Sequence, residues 1–176
     1  MKLLDSLYNV ESRVLIWCTH TRHHQQMAQC ARNVSRTGDG YLQVLLPTLL
    51  LLVDEEQGSQ FFLINLMAFA IHLPLYWVLK NCLKRRRPSD VIPAFESTIT
   101  ASDKFSFPSG HSAAAFLLAN LTALFYGVVA WPLYIWASVV ALSRVILGVH
   151  FPSDILAGIA LGTLIAFNVL PFAMAL

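Results

Sequence analysis

The chain has 176 residues, 56% of them hydrophobic and only 12% charged, with a formal net charge of +2. Soluble domains carry about 25% charged residues. Half that density, with a mean hydropathy of +0.59, argues against a disordered chain, a basic nucleic-acid-binding surface and an ordinary soluble domain.

In chain order, the first segment is amphipathic. Leu3, Leu7, Val10, Val14 and Trp17 recur at spacings of four and three, one face of a helix. Asp5, Glu11 and Arg13 interrupt any signal-peptide core. Residues 1–35 therefore read as a segment that lies on the membrane surface or packs on the bundle. His20, His23 and His24 share a helical face, which a solvated polar stripe explains better than a metal site. Cys18, Cys30 and Cys82 are odd in number and lack C-x-x-C spacing, so they imply neither a disulfide framework nor zinc.

From residue 36 onward the charges thin out. Uncharged runs of 14, 23, 39 and 22 residues follow Asp39, Glu56, Lys104 and Asp154. A bilayer core of about 30 Å takes about 20 helical residues. The second and fourth runs each fit one span. The third would make a helix of about 58 Å, so it is expected to fold back at Gly127 or Trp131-Pro132. The first run, centred on YLQVLLPTLLLLV, is short for a span, and we read it as one that extends backwards or tilts less. The expected fold is an all-α membrane bundle of about five transmembrane helices, residues 36–176, preceded by the interfacial segment 1–35.

Three polar clusters sit at the span ends. The second span runs into Lys80, then Lys84-Arg85-Arg86-Arg87-Pro88. Taken alone this is a stop-transfer anchor. Pro108-Ser109-Gly110-His111 precedes the third span, where Ser109 or Gly110 can cap a helix whose free N–H groups suit an anion. Ser143-Arg144 closes the fourth span, and His150 and Asp154 open the last, four residues apart. An Arg in an apolar run is costly and marks function. Span parity brings the clusters to one membrane face. There, Lys and Arg suit a phosphate clamp, and a His oriented by an Asp suits a nucleophile or base. Positioning and charge neutralisation then carry phosphoryl transfer. That face offers no acidic cluster for two metals, so metal-independent chemistry without a cofactor is expected. Residues 89–107 read as a mobile loop over the site. His72-Leu-Pro74 reads as a core-packed His beside a kink.

The clusters resemble the type 2 phosphatidic acid phosphatase family, which shares a superfamily with vanadium haloperoxidases. Its signature K-x6-R-P, P-S-G-H and S-R-x5-H-x3-D is met at Lys80, Arg87-Pro88, Pro108–His111, Ser143-Arg144, His150 and Asp154. The resemblance implies a lipid-phosphate phosphatase. Lys80, Arg87 and Arg144 would bind phosphate with Ser109 and the Gly110 N–H. His150 would attack phosphorus, Asp154 would hold its tautomer, and His111 would protonate the leaving oxygen. Substrates of the phosphatidate, phosphatidylglycerophosphate or undecaprenyl diphosphate class are implied, in a multi-pass inner-membrane protein with the bilayer as partner and no nucleic acid. The alternatives are vanadate-dependent oxidation and non-catalytic lipid binding. Every Lys and Arg falls on the motif face, which the positive-inside rule makes cytoplasmic. Many similar bacterial proteins face the periplasm instead.

Overall fold

A computed structural model describes residues 2–173, with side chains described for 6–172. Among them there is no strand. The helices are α1 (Lys2–Thr19), α2 (His24–Thr37), α3 (Tyr41–Val53), α4 (Gly58–Leu83), a single turn α5 (Pro88–Val91), α6 (Gly110–Tyr126), α7 (Trp131–Ile146) and α8 (Pro152–Ala173). Three stretches are long and apolar enough to cross a membrane: Gly58–Val91, Gly110–Ile146 and Pro152–Phe172. Tyr41–Val53 is a shorter apolar helix.

Backbone chemistry sets the boundaries. Gly127, at φ +63°, ends α6, and a 3-10 turn over Gly127–Ala130 with Pro132 starts α7. The long third run thus folds back where expected. Ala115 and Ala119 of α6 meet Ala137 and Val140 of α7. The short run does not extend backwards, because Gly38 and Gly40 turn the chain between α2 and α3. Nor is α3 enclosed by protein: Tyr41, Val44, Leu45, Leu49 and Leu52 are exposed, a surface suited to lipid.

The core joins α4, α6 and α8 through Phe61, Ile64, Leu117, Leu121, Ile165 and Val169. α6 and α8 run parallel and very close. A Cβ on Gly158 would stand 2.4 Å from the Ser109 carbonyl oxygen, and one on Gly162 2.2 Å from that of Ala113. Small residues four apart let helix backbones approach this way. The Ser109 N–H donates to the Asp154 carbonyl at 3.0 Å, so both helices begin on one face.

The N-terminal helices seat on that same face. α1 buries Glu11, Leu15 and Cys18, while Leu7, Val10, Val14 and Trp17 stay exposed. The apolar stripe therefore points away from the protein; the Leu3 side chain lies outside the described ones. α2 packs along α7. His20 Nδ1 contacts the Ile16 carbonyl at 2.9 Å, and His24 Nδ1 the Cys18 carbonyl at 3.1 Å. Two of the three histidines thus turn to carbonyls in the last turn of α1.

Candidate functional site

Lys80 leaves the last turn of α4, and Lys84, at φ 48°, ends that helix. Arg87 lies just before α5, Arg144 in the last turn of α7, and His150 between α7 and α8. Gly110 and His111 open α6, and Asp154 opens α8.

The cations surround one anion. Asp103, from the loop before α6, accepts from Lys80 Nζ at 2.6 Å and from Tyr76 Oη at 2.7 Å through one oxygen. Its other oxygen pairs with Arg87 Nη2. Arg87 Nε also donates to the Asp103 carbonyl at 3.0 Å, and Nη1 to the Val149 carbonyl at 2.5 Å. Burial raises the Asp103 carboxyl pKa, but the Lys80 and Tyr76 hydrogen bonds and the Lys80 and Arg87 charges outweigh it, holding it to about 2. Lys80 Nζ donates to Tyr76 Oη at 2.5 Å and lies behind that ring and Asp103. Arg144 Nη1 donates to Ser35 Oγ at 2.5 Å, while its buried Nε has no partner. An unpaired buried guanidinium N–H is costly, and suits a further acceptor.

His150 and Asp154 differ from the expected pair. His150 Nδ1 stands 3.7 Å from Asp154 Oδ2, beyond hydrogen-bond length. Other donors hold the carboxylate. Arg85 Nη1 reaches Oδ1 at 2.6 Å, the Phe151 N–H reaches Oδ2 at 2.8 Å, and Ser106 Oγ also bonds Oδ2. Asp154 is fully buried. Arg85 also pairs with buried Glu11 at 2.7 Å and lies 4.3 Å over the Phe151 ring. The anchor reading of the basic run therefore fails for Arg85, whose carboxylate partners draw it inward. Burial lowers the pKa of His150 to about 4, against the opposing pull of Asp154.

His111 Nε2 meets Asp39 Oδ1 at 2.7 Å. Gly110 leaves little room for a side chain, since a Cβ there would lie 3.0 Å from the Tyr76 ring. Ser109 departs from the expected phosphate contact. Its fully buried hydroxyl accepts from the Ser112 N–H at 3.4 Å and Oγ at 2.9 Å, capping α6, and it does not line the cavity described next.

A cavity of about 810 Å³ opens beside these groups. Arg87, Arg144, His111, His150 and Gly110 form its polar end, and Val44, Pro47, Phe62, Leu66, Phe69 and Leu73 its apolar length between α3 and α4. A second pocket of about 490 Å³ shares Asp39, Ser102, His111 and Arg144 and continues past Arg32 and Arg36. The site thus has an apolar mouth and a polar mouth. The loop expected to be mobile is built in. Thr98 N–H donates to the Leu147 carbonyl at 3.0 Å, Ser106 N–H to that of Arg85 at 2.8 Å, and Ile92 and Phe95 join a core cluster. Sequence reasoning missed Asp103, Glu11, Ser35 and Asp39, and read Arg85 as an anchor, because each acts through a partner far away in the chain.

A helical membrane protein that gathers cations around one anion, beside two histidines and an apolar cavity, is of the phosphoryl-handling class. Comparison with known proteins makes this specific. The chain belongs to the PAP2 superfamily, whose model matches residues 60–175. It is 33% identical over 141 residues to a decaprenylphosphoryl-5-phosphoribose phosphatase of Mycobacterium tuberculosis, covering 77% of this chain and 75% of the relative. It is 38% identical over 128 residues to phosphatidylglycerophosphatase B of Bacillus subtilis, covering 62% and 57%. Among solved structures, Aquifex aeolicus LpxE superposes with a TM-score of 0.73 at 23% identity, covering 90% of this chain and 93% of that one. A PAP2-type phosphatidylglycerolphosphate phosphatase from Bacillus subtilis gives 0.62 at 24%, covering 100% and 98%. These two likenesses concern the fold. The chain is a multi-pass membrane phosphatase, a phosphoric ester hydrolase of this family.

Proposed function

We propose that the protein releases phosphate from a membrane lipid phosphate through a phosphohistidine, without a metal ion. The observation that carries this reading is that Lys80 and Arg87 close on one anionic group, the Asp103 carboxylate, at the polar end of a cavity reached by both histidines. The substrate phosphate takes the place of that carboxylate. The unpaired Arg144 Nε and the N–H groups at the start of α6 complete its cradle, with Ser109 holding that helix end.

His150 Nδ1 is the ring nitrogen nearest Asp154, so Nε2 is left to attack. An N–P bond forms as the ester P–O bond breaks, and His111 donates a proton to the departing oxygen. Water then attacks phosphorus and gives a proton to His111 while the N–P bond breaks, which releases phosphate and restores both histidines. Three cations neutralise the transferring group, the work a metal does elsewhere. The lipid enters by the apolar mouth, and phosphate leaves past Arg32 and Arg36.

α3, α4, α6, α7 and α8 are the five spans, in the inner membrane. Residues 36–176 make the phosphatase domain, and residues 1–35 lie at the interface with Leu7, Val10, Val14 and Trp17 turned to lipid. Relatives named for phosphatidylglycerophosphate and decaprenylphosphoryl-5-phosphoribose support a lipid phosphate as substrate. The decisive experiment measures phosphate release in EDTA from phosphatidate, phosphatidylglycerophosphate and undecaprenyl diphosphate, with His150→Ala alongside. Release that the variant abolishes is the expected result. Release only with added magnesium overturns the mechanism. Impermeant maleimide on exposed Cys30 reads the side: labelling in intact cells puts the site face outside, protection inside.

A further inference from the structure

Three buried side chains in the cavity carry unpaired polar atoms: Gln43 Oε1, Asn65 Oδ1 and His72 Nδ1. Buried groups of this kind are normally satisfied, and each exception calls for a partner. The orientation of the Gln43 amide is set by its own donor, since Nε2 points to the Gly38 carbonyl at 3.4 Å. Its oxygen is thereby left as an acceptor that needs a donor from elsewhere. Gln43 is 7% exposed and His72 2%.

Position separates these groups. Phe69, His72 and Tyr76 form a ladder of rings along α4, with adjacent centroids 5.9 Å apart. Tyr76 Oη receives the Lys80 hydrogen bond, so the phosphate clamp stands level with it. His72 is one helical turn below, about 6 Å along the axis. Gln43 is tied to Gly38, where a Cβ would lie 3.3 Å from His111 Cδ2. It too belongs just below the reacting phosphate. Asn65 is seven residues beyond His72, about 10 Å deeper, in the apolar length of the cavity.

We propose that Gln43 and His72 form a subsite for the hydroxyl groups of a polyol, a glycerol or a sugar, that links the scissile phosphate to the lipid. This rests on the lipid-phosphatase reading and deepens it. A hydroxyl on the carbon next to the ester carbon, three bonds from the phosphoester oxygen, falls within a turn's reach of the clamp. There it donates to Gln43 Oε1 while His72 donates to it or accepts from a neighbouring hydroxyl, according to tautomer. A plain diacylglycerol phosphate or a prenyl diphosphate has no free hydroxyl at this depth, and leaves both groups unpaired. A site built to hydrogen-bond a substrate hydroxyl discriminates against the analogue that lacks it.

The test compares kcat/KM for phosphatidylglycerophosphate and phosphatidate of identical acyl chains, in full-length wild type, Gln43→Leu and His72→Phe. Wild type should favour the hydroxylated lipid by about tenfold. Each variant should bring the ratio toward one, mostly through KM. Because both lipids are assayed on one preparation, loss of folded protein cancels from the ratio, and either variant alone decides the matter. Equal use of the two lipids by wild type overturns the subsite but not the phosphatase reading. So does an unchanged ratio in a variant, which would leave the orphaned atoms to water. Hydrolysis of neither lipid overturns both.

Discussion

Asp103 brings a carboxylate into the cluster where a phosphate is proposed to bind. Its two oxygens meet Lys80, Tyr76 and Arg87, so substrate has to displace charge-assisted hydrogen bonds. Asp103→Asn weakens the competitor and keeps its shape. Inorganic phosphate or vanadate should inhibit that variant about tenfold more tightly, read as an inhibition constant in the phosphate-release assay. An unchanged constant would show that phosphate binds elsewhere. His150 makes a second claim at this scale. Burial lowers its pKa from 6.5 to about 4, so the neutral ring, the form the proposed attack needs, persists in acid. The acid limb of kcat/KM should therefore lie near pH 4 to 5, as the limb reports the free enzyme. The linkage has the same sign. Below pH 6.5 the unfolded chain takes up a proton that the folded one refuses. Stability due to His150 is complete above 6.5 and is lost as pH falls toward 4. The motif positions were legible in sequence because they cluster within a few residues at span ends. Asp103 was not, since nothing local distinguishes it from any loop acid.

Among the elements, the parallel pair α6 and α8 decides whether the site exists. Gly158 and Gly162 let the two backbones touch, and that contact sets His150 and Asp154 beside Gly110 and His111. Gly162→Leu drives a side chain into the Ala113 carbonyl and pushes the helices apart. Overpacking of this kind costs about 1–3 kcal/mol or more. Thermal unfolding in detergent should show the loss, and activity should fall further than the population of folded protein does. The spans and the fold-back at Gly127 were readable from uncharged run length and from Gly and Pro chemistry. The helix-pair contact was not, because two small residues four apart look the same on a lipid-facing helix. The loop before α6 was misread for a related reason. Its polar composition suggested freedom, whereas its backbone is tied to Arg85 and Leu147, the Ser106 side chain to Asp154 and the Asp103 side chain to Lys80 and Arg87.

At the scale of the whole molecule, residues ahead of the matched region pack onto the site. Glu11 holds Arg85 and the Ser153 N–H, Ser35 holds Arg144, and Asp39 holds His111. Without Glu11, Arg85 keeps Asp154 as its one carboxylate and the Ser153 N–H loses its acceptor. Deleting residues 1–22 should leave the chain inserted in membranes while kcat falls by more than tenfold, measured on the membrane fraction. Glu11→Gln should give a smaller fall, since the amide still accepts from Arg85. Sequence alone determined the membrane setting, the helical class and the face on which the polar clusters gather, because charge and apolar run length act locally and cannot be hidden in a bilayer. It also identified the residues that fit the family signature. Only the tertiary structure decided that Arg85 shares Asp154 with His150, that Asp103 sits between Lys80 and Arg87, and that α1 and α2 pack against this cluster. Those are choices among several possible partners for each charge, and the choice is made by which groups packing brings within about 3 Å.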